Sequence, residues 1–135
     1  MDRNGQEFLP RGLVLSVSPI HGVGVFATSA VTKGHCFGEF IGEEMSAKEF
    51  RAKYGGDFQY CYRMGRANKV IVAKENRNFI TYVNDGVHGH DVPRVNVVLK
   101  KRCLYALRDI EVGEELLLDY GHFYPWGQAS PLGVV

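Results

Sequence analysis

The apolar residues of this chain occur in short runs, and turns rich in glycine, asparagine and aspartate separate one run from the next. Short apolar runs between turn residues are typical of β-strands rather than of helices. The sequence therefore predicts a mainly β fold made of several small sheets. The predicted strands are residues 13–17, 25–27, 36–41, 58–64, 70–73, 79–83, 95–99, 103–107 and 114–118.

One short helix is predicted to begin after Ser46. Ser46 and Glu49 have the spacing of a capping box, in which each side chain hydrogen-bonds to the backbone of the other residue. Ala47, Phe50 and Tyr54 fall on one face at helical spacing, and the two glycines that follow predict the end of the helix.

Composition narrows the function classes. The chain has 135 residues, 45% apolar and 23% charged, as expected of one soluble globular domain. A net charge of +1 disfavours a nucleic-acid-binding protein, and neither a membrane-spanning run nor a signal peptide is evident. The three cysteines have no metal-binding or disulfide spacing, so we expect no metal site and three buried or half-buried thiols. We expect a lead-in at 1–11, a domain at 12–126 and a tail at 127–135.

A glycine pair, Gly22-Val23-Gly24, precedes a predicted strand. Two glycines allow a backbone to approach a ligand closely, although an ordinary hairpin turn has the same composition. A dinucleotide-binding turn needs a further glycine and a following helix, and here a strand follows. The pair predicts either a hairpin turn or a backbone cradle for another ligand.

Two asparagines flank a glycine-containing loop. Asn84 opens a predicted turn, Asn84-Asp85-Gly86, and Asn96 follows the loop. An asparagine side chain carries both donor and acceptor groups, so it can join two chain segments or hold a ligand. Further on, residues 116–118 lead into Tyr120, which could be a core tyrosine or could place its hydroxyl in a site.

In order and spacing, these motifs resemble the SET domain family of lysine methyltransferases. Residues 22–27 resemble the motif that cradles S-adenosylmethionine, and residues 39–43 resemble the strand and turn after it. Residues 79–85 match a strand ending in the family's Asn-His pair, residues 93–97 its Pro-Asn step, and residues 109–121 its final motif. The resemblance covers about residues 12–126 and implies a β-clip-like fold with a C-terminal pseudoknot.

The resemblance implies methyl transfer from S-adenosylmethionine to a protein lysine, with S-adenosylhomocysteine as product. The implied substrate is a basic protein, above all a histone tail, in the nucleus or a host nucleus. A non-histone substrate would place the protein in the cytoplasm. Flanking zinc-binding cysteine clusters are missing, as in compact SET proteins of some large viruses and microbes, and a homodimer is one way to complete so small a site.

The resemblance also implies roles for individual residues. Tyr120 is the catalytic residue, and Leu118 helps to decide how many methyl groups fit, leaving room for more than one. The pseudoknot would bring Tyr120 to Asn84. The implied cofactor-binding residues are Gly22, Val23, Gly24, Asn84, Asp85, Tyr120, Phe123, Tyr124 and Trp126, and the substrate-binding residues are Tyr60, Tyr62, Tyr82 and Leu118.

Alternatives remain for several of these residues. Tyr60 and Tyr62 share a face of a predicted strand, where they form either channel walls or core. The aromatic residues 123–126 form either a cofactor lid or C-terminal packing. Acidic residues near the motifs either attract a basic peptide or are ordinary solvated charges: Glu39, Glu43, Glu44, Asp57, Glu111, Glu114, Glu115 and Asp119.

Three departures from the family pattern favour a second hypothesis. Asp85 replaces the usual histidine, Val72 a common acidic residue and Thr81 a common arginine. They favour a SET-like module that binds cofactor or a basic peptide without catalysis. A ligand-binding β domain unrelated to the family is a third hypothesis, and it treats the motif order as coincidence.

Overall fold

A computed structural model describes residues 9–64, 68–75, 77–87 and 94–119. Its described part is built from short strands with one short α-helix, so the predicted mainly β fold is confirmed. The elements are β1 Leu13–Val17, β2 Val23–Ala27, β3 Cys36–Glu39, β4 Glu43–Ser46, α1 Ala47–Tyr54, β5 Cys61–Met64, β6 Lys69–Val72, a 3₁₀ helix Phe79–Tyr82, β7 Asn84–Asp85, β8 Val97–Lys100, β9 Cys103–Ala106 and β10 Leu117–Leu118.

The strands form four small sheets. β1 and β2 make an antiparallel hairpin that pairs Leu13 with Ala27 and Val17 with Val23. Two antiparallel three-stranded sheets have the orders β3-β9-β8 and β4-β6-β5. The fourth sheet pairs β7 and β10 in parallel, which joins segments that are far apart in the sequence. One core cluster contains residues from all four of these sheets and from the 3₁₀ helix.

The predicted helix is present, with its capping box. Ser46 Oγ accepts a hydrogen bond from the Glu49 amide at 3.1 Å, and Glu49 Oε1 accepts one from the Ser46 amide at 3.0 Å. Phe50 is fully buried in a second, smaller core cluster against β5 and β6. Gly55 ends the helix with a φ of +65°, a backbone conformation that glycine adopts without steric cost.

Three elements differ in type from the sequence prediction. The first is β4, where no strand was predicted and where pairing with β6 forms one. Residues 79–83, predicted as a strand, contain the 3₁₀ helix, because the Asn78 side chain caps it by accepting from the Ile80 amide at 3.0 Å. Asn84 and Asp85, predicted as part of a turn, form β7 because β10 supplies a partner strand that no local pattern indicates.

The strand predicted at residues 58–64 is also shorter than expected. It begins at Cys61, because a turn with a hydrogen bond from the Cys61 amide to the Phe58 carbonyl precedes it. Tyr60 lies in that turn with a φ of +62°. The prediction that Tyr60 and Tyr62 share one strand face is therefore wrong.

The last described segment, residues 114–118, lies between two other parts of the chain. On one side, hydrogen bonds join the Leu116 amide to the Val25 carbonyl and the Ala27 amide to the Glu114 carbonyl. On the other, the Asn96 amide donates to the Leu117 carbonyl at 3.0 Å. This placement between β2 and the segments around residues 86 and 96 is the arrangement that the predicted pseudoknot requires.

The three cysteines are free thiols. Cys61 is buried and Cys103 is half-buried, but Cys36 is exposed, so the prediction of three covered thiols is wrong for Cys36. Cys36 lies at the start of β3 opposite Tyr105. None of the described helices is long and apolar enough to cross a membrane.

Candidate functional site

The glycine pair lies in the hairpin between β1 and β2. Ser18 shapes this hairpin: its amide donates to the Gly22 carbonyl at 2.8 Å, and its hydroxyl accepts from the Ile20 amide at 2.9 Å. Gly22 has a φ of +48°, and a Cβ atom there would meet no atom of the described residues within 4 Å. Among these residues, the backbone at Gly22 is therefore uncovered, as a backbone cradle for a ligand requires.

Gly24 is needed for a different reason. A Cβ atom at this position would collide with the carboxylate of Glu115, and it would lie 3.2 Å from Asn84 Nδ2. Only the absence of a side chain lets these two groups approach the hairpin backbone. The two glycines therefore have separate roles, one conformational at Gly22 and one steric at Gly24.

Asn84 holds this hairpin in place. Its side chain is buried, and Nδ2 donates to the His21 carbonyl at 2.9 Å, to the Val23 carbonyl at 3.4 Å and to Glu115 Oε2 at 2.9 Å. An amide NH₂ group has two hydrogens, and these three acceptors use both. Asn84 therefore acts on the backbone on both sides of Gly22 through its Nδ2 group.

Glu115 is the residue whose role the sequence did not reveal. Both carboxylate oxygens lie 2.9 Å from the Ser18 hydroxyl, and one also accepts from Asn84. Ser18 is 97 residues from Glu115 in the sequence, so no spacing rule could pair them. A glutamate directly beside the buried run 116–118 is the one local signal, because a charge placed next to a core strand needs a partner.

Asn96 makes a second connection to the same segment. Its side chain is buried, donates to the Glu115 carbonyl at 2.9 Å and accepts from the Leu117 amide at 2.8 Å. The interpretation of Asn96 as a residue that joins two chain segments is therefore confirmed. Asn84 and Asn96 together fix both the backbone and the side chain of Glu115.

The three tyrosines predicted as substrate contacts do not form one surface. Tyr62 is buried, and its ring packs against Phe40 with centroids 5.8 Å apart. Burial raises the pKa of the Tyr62 hydroxyl above its ordinary value. Tyr60 and Tyr82 do lie close together, but the guanidinium of Arg77 lies over both rings, 3.8 Å and 3.9 Å from their centroids.

The remaining predicted residues are placed as follows. Leu118 is fully buried in the main core, and Asp85 accepts a hydrogen bond from the Val87 amide at 3.2 Å. Two of the positions that depart from the family pattern, Val72 and Thr81, are also buried. The residues Tyr120, Phe123, Tyr124 and Trp126 lie outside the described residues.

Several of the acidic side chains near the site are already paired. Hydrogen bonding from Lys69 lowers the pKa of Glu44, which also pairs with Arg102 at 2.9 Å. Burial alone would raise the pKa of Glu114, but hydrogen bonds from the Glu111 backbone and from Arg108 hold it below its ordinary value. These pairs weaken the predicted attraction of a basic peptide by an acidic rim. No group of three or more metal-ligating side chains occurs within the described ranges.

Comparison with known proteins gives matches over most of the chain. The family model described as "SET domain" matches residues 22–121. The chain is 30% identical to the mouse protein "PR domain zinc finger protein 14" over 121 residues, which are 86% of this chain and 22% of that protein. It is 32% identical to the zebrafish protein "N-lysine methyltransferase KMT5A-A" over 111 residues, which are 74% of this chain and 32% of that protein.

A solved structure agrees with the fold. The methyltransferase domain of human PR domain-containing protein 2 superposes with a TM-score of 0.62 at 24% sequence identity. The match covers 87% of this chain and 82% of that one. The chain spans about a fifth to a third of the length of the two curated relatives, but most of the length of this isolated domain.

Proposed function

This chain belongs to the SET domain family, and from that membership we propose that it is a protein-lysine methyltransferase that uses S-adenosylmethionine. One observation carries the proposal. The Asn84 amide joins the carbonyls of His21 and Val23 to Glu115, two residues before the strand that leads to Tyr120. The predicted cofactor turn and the chain leading to the predicted catalytic tyrosine are thereby tied together.

The hairpin has the features that a bound cofactor needs. No described residue would contact a Cβ atom at Gly22, Val23 is 44% exposed, and Asn84 and Ser18 fix the backbone between them. We propose that residues 22–24, held by Asn84, form the cofactor cradle, with Asp85 beside it and residues 123, 124 and 126 as its cover. When bound, S-adenosylmethionine supplies an activated methyl group on a sulfonium.

The chain's own residues must present a neutral lysine amine in the correct direction. Free lysine has a pKa of about 10.4, and an apolar, desolvated channel lowers it. We propose that Tyr120 receives the amine with its hydroxyl, since one positioned polar group in a site is worth roughly 100-fold or more in rate. Leu118 is fully buried. We propose that it bounds the channel and, being smaller than an aromatic residue, leaves room for more than one methyl group.

The proposed substrate is a histone tail, with the nucleus or a host nucleus as the site of action. The implied substrate class of the family and the name of the zebrafish relative, an N-lysine methyltransferase, support a protein lysine as acceptor. A non-histone substrate would move the activity to the cytoplasm. We also propose that the chain forms a homodimer, and sedimentation at several concentrations tests this.

Radiolabelled S-adenosylmethionine with core histones tests the proposal. We expect label transfer by the native chain and a loss of roughly 100-fold or more in Tyr120→Phe, with cofactor binding retained. Tyr105→Phe is the matched control because Tyr105 lies on the β3-β9-β8 sheet away from the hairpin. Equal transfer by native and Tyr120→Phe protein would contradict the proposed catalytic role.

A second candidate function is a module that binds a basic peptide or the cofactor without catalysis. The observation that favours it is the Arg77 guanidinium between two of the predicted channel residues. Cofactor binding by the native chain without transfer to histones or to any other basic protein would support this module. Failure to bind the cofactor at all would contradict the methyltransferase proposal.

A further inference from the structure

Arg77 lies between two aromatic rings. Its guanidinium carbon is 3.8 Å from the Tyr60 centroid and 3.9 Å from the Tyr82 centroid, well inside the roughly 6 Å limit for a cation–π contact. A guanidinium group has two flat faces, and with both centroids this close each ring takes one of them. The two rings therefore form a cage of the right width for a planar cation.

The guanidinium of Arg77 donates hydrogen bonds to two neutral oxygens of Thr81. Its Nε donates to Thr81 Oγ1 at 3.0 Å, and its Nη2 donates to the Thr81 carbonyl at 3.1 Å. Among the ion pairs of the described residues, none involves Arg77. The aromatic faces and two neutral oxygens hold this half-buried cation, so another cation of similar shape could make the same contacts.

The backbone that carries each ring also has contacts that do not involve Arg77. Tyr60 has a φ of +62°, rare for a bulky side chain, and its carbonyl accepts from the Ala73 amide at 2.9 Å. Tyr82 ends the 3₁₀ helix that Asn78 caps. Contacts other than those with Arg77 therefore hold the backbone under both rings, and both ring faces become available when the guanidinium leaves.

We propose that the Tyr60–Tyr82 pair is a cage for an arginine side chain of the peptide substrate, and that Arg77 is the internal cation which that side chain displaces. The identity of the incoming peptide rests on the proposed function, whereas the cage itself does not. Arg77 then makes peptide binding selective, because only a side chain that replaces both cation–π contacts can exchange with it.

Titration with methylguanidinium, in the absence of any methyl donor, tests the cage directly. We expect Arg77→Ala to bind methylguanidinium at least about tenfold more tightly than the native chain, since two cation–π contacts become available. Adding Tyr82→Leu to Arg77→Ala removes one wall and should abolish the gain. A folded Arg77→Ala protein with native affinity for methylguanidinium would overturn the proposal.

A second measurement uses the native chain, in case Arg77→Ala fails to fold. Two basic peptides that differ only in arginine or citrulline beside the lysine keep the shape and change the charge. We expect the arginine peptide to bind more tightly, by less than the roughly tenfold gain expected for Arg77→Ala because displacing Arg77 offsets part of it, and we expect Tyr60→Leu to remove the difference. Equal binding of the two peptides would refute the cage. Loss of methyl transfer with the peptide preference intact would refute the proposed function alone.

Discussion

Replacing Asn84 by aspartate tests the hydrogen-bond cluster that holds the glycine hairpin. Asn84→Asp keeps the size of the side chain but replaces its donor with a carboxylate that faces Glu115 and the carbonyls of His21 and Val23. The variant loses one hydrogen bond to a charged group, worth about 1.5–3 kcal/mol, and one to the carbonyls, worth about 1 kcal/mol. Repulsion between the carboxylates adds to this, so we expect a loss of about 3–5 kcal/mol in the free energy of unfolding.

Urea unfolding followed by circular dichroism measures that loss. A domain of this size is typically stable by about 5–15 kcal/mol, so the variant should remain folded but melt roughly 10–20 °C lower. Asn78→Asp is the matched control: Asn78 is also buried, but its amide donates to the Ile41 carbonyl and its oxygen caps a helix. We expect this control to lose about 1–2 kcal/mol.

The double variant Asn84→Asp with Glu115→Gln decides whether the two residues act as a pair. The glutamine amide can donate to the new aspartate, so we expect recovery of at least half of the lost free energy. Non-additivity of about 1.5 kcal/mol or more is the expected signature of direct contact. Additive effects in this cycle, or a cost below about 1 kcal/mol for Asn84→Asp, would refute the proposed geometry.

Three further predictions follow from individual side chains. Gly24→Ala should lower the free energy of unfolding by about 2–3 kcal/mol, because its Cβ displaces the Glu115 carboxylate, whereas Gly22→Ala should lower it by about 1 kcal/mol for its positive φ alone. Thermal melts compare the two variants, and equal losses would contradict the steric argument. Burial raises the pKa of the Cys61 thiol to about 12, so iodoacetamide at pH 8 should modify it after unfolding but not in the native protein, as mass spectrometry of the digest would show. The hydrogen bond from the Ser46 backbone lowers the pKa of Glu49, so this side chain binds its proton less readily in the folded state, and its stabilising effect is lost as the pH falls from about 5 to 3. The difference in melting temperature between the native protein and Glu49→Gln should therefore disappear over that range, and a constant difference would argue against this role.

Local signals were sufficient for part of the fold. The capping box at Ser46 and Glu49 and the glycine after Tyr54 predicted the helix, since these interactions lie within one or two turns of the chain. The β1 strand agreed with its short apolar run. Motif order pointed to the family, because the residues that a shared site needs keep their order along the chain.

Elements that depend on distant partners were not predictable in the same way. The composition of residues 84 and 85 predicts a turn, but they form β7 because β10 pairs with them in parallel. Residues 79–83 have strand-forming side chains, but Asn78, whose amide donates to the distant Ile41 carbonyl, caps a 3₁₀ helix instead. In both cases the contact that decides the structure outweighs the local preference of the residues.

By itself, then, the sequence determined the class of fold, the helix with its cap and the residues worth testing as a site. Only the tertiary structure decided what those residues contact. It joined Ser18 to Glu115 across 97 positions, directed the Asn84 amide at the hairpin backbone and placed Arg77 between Tyr60 and Tyr82. The physical reason is that hydrogen bonds and cation–π contacts depend on distance and direction in space, which chain folding sets and residue spacing alone does not.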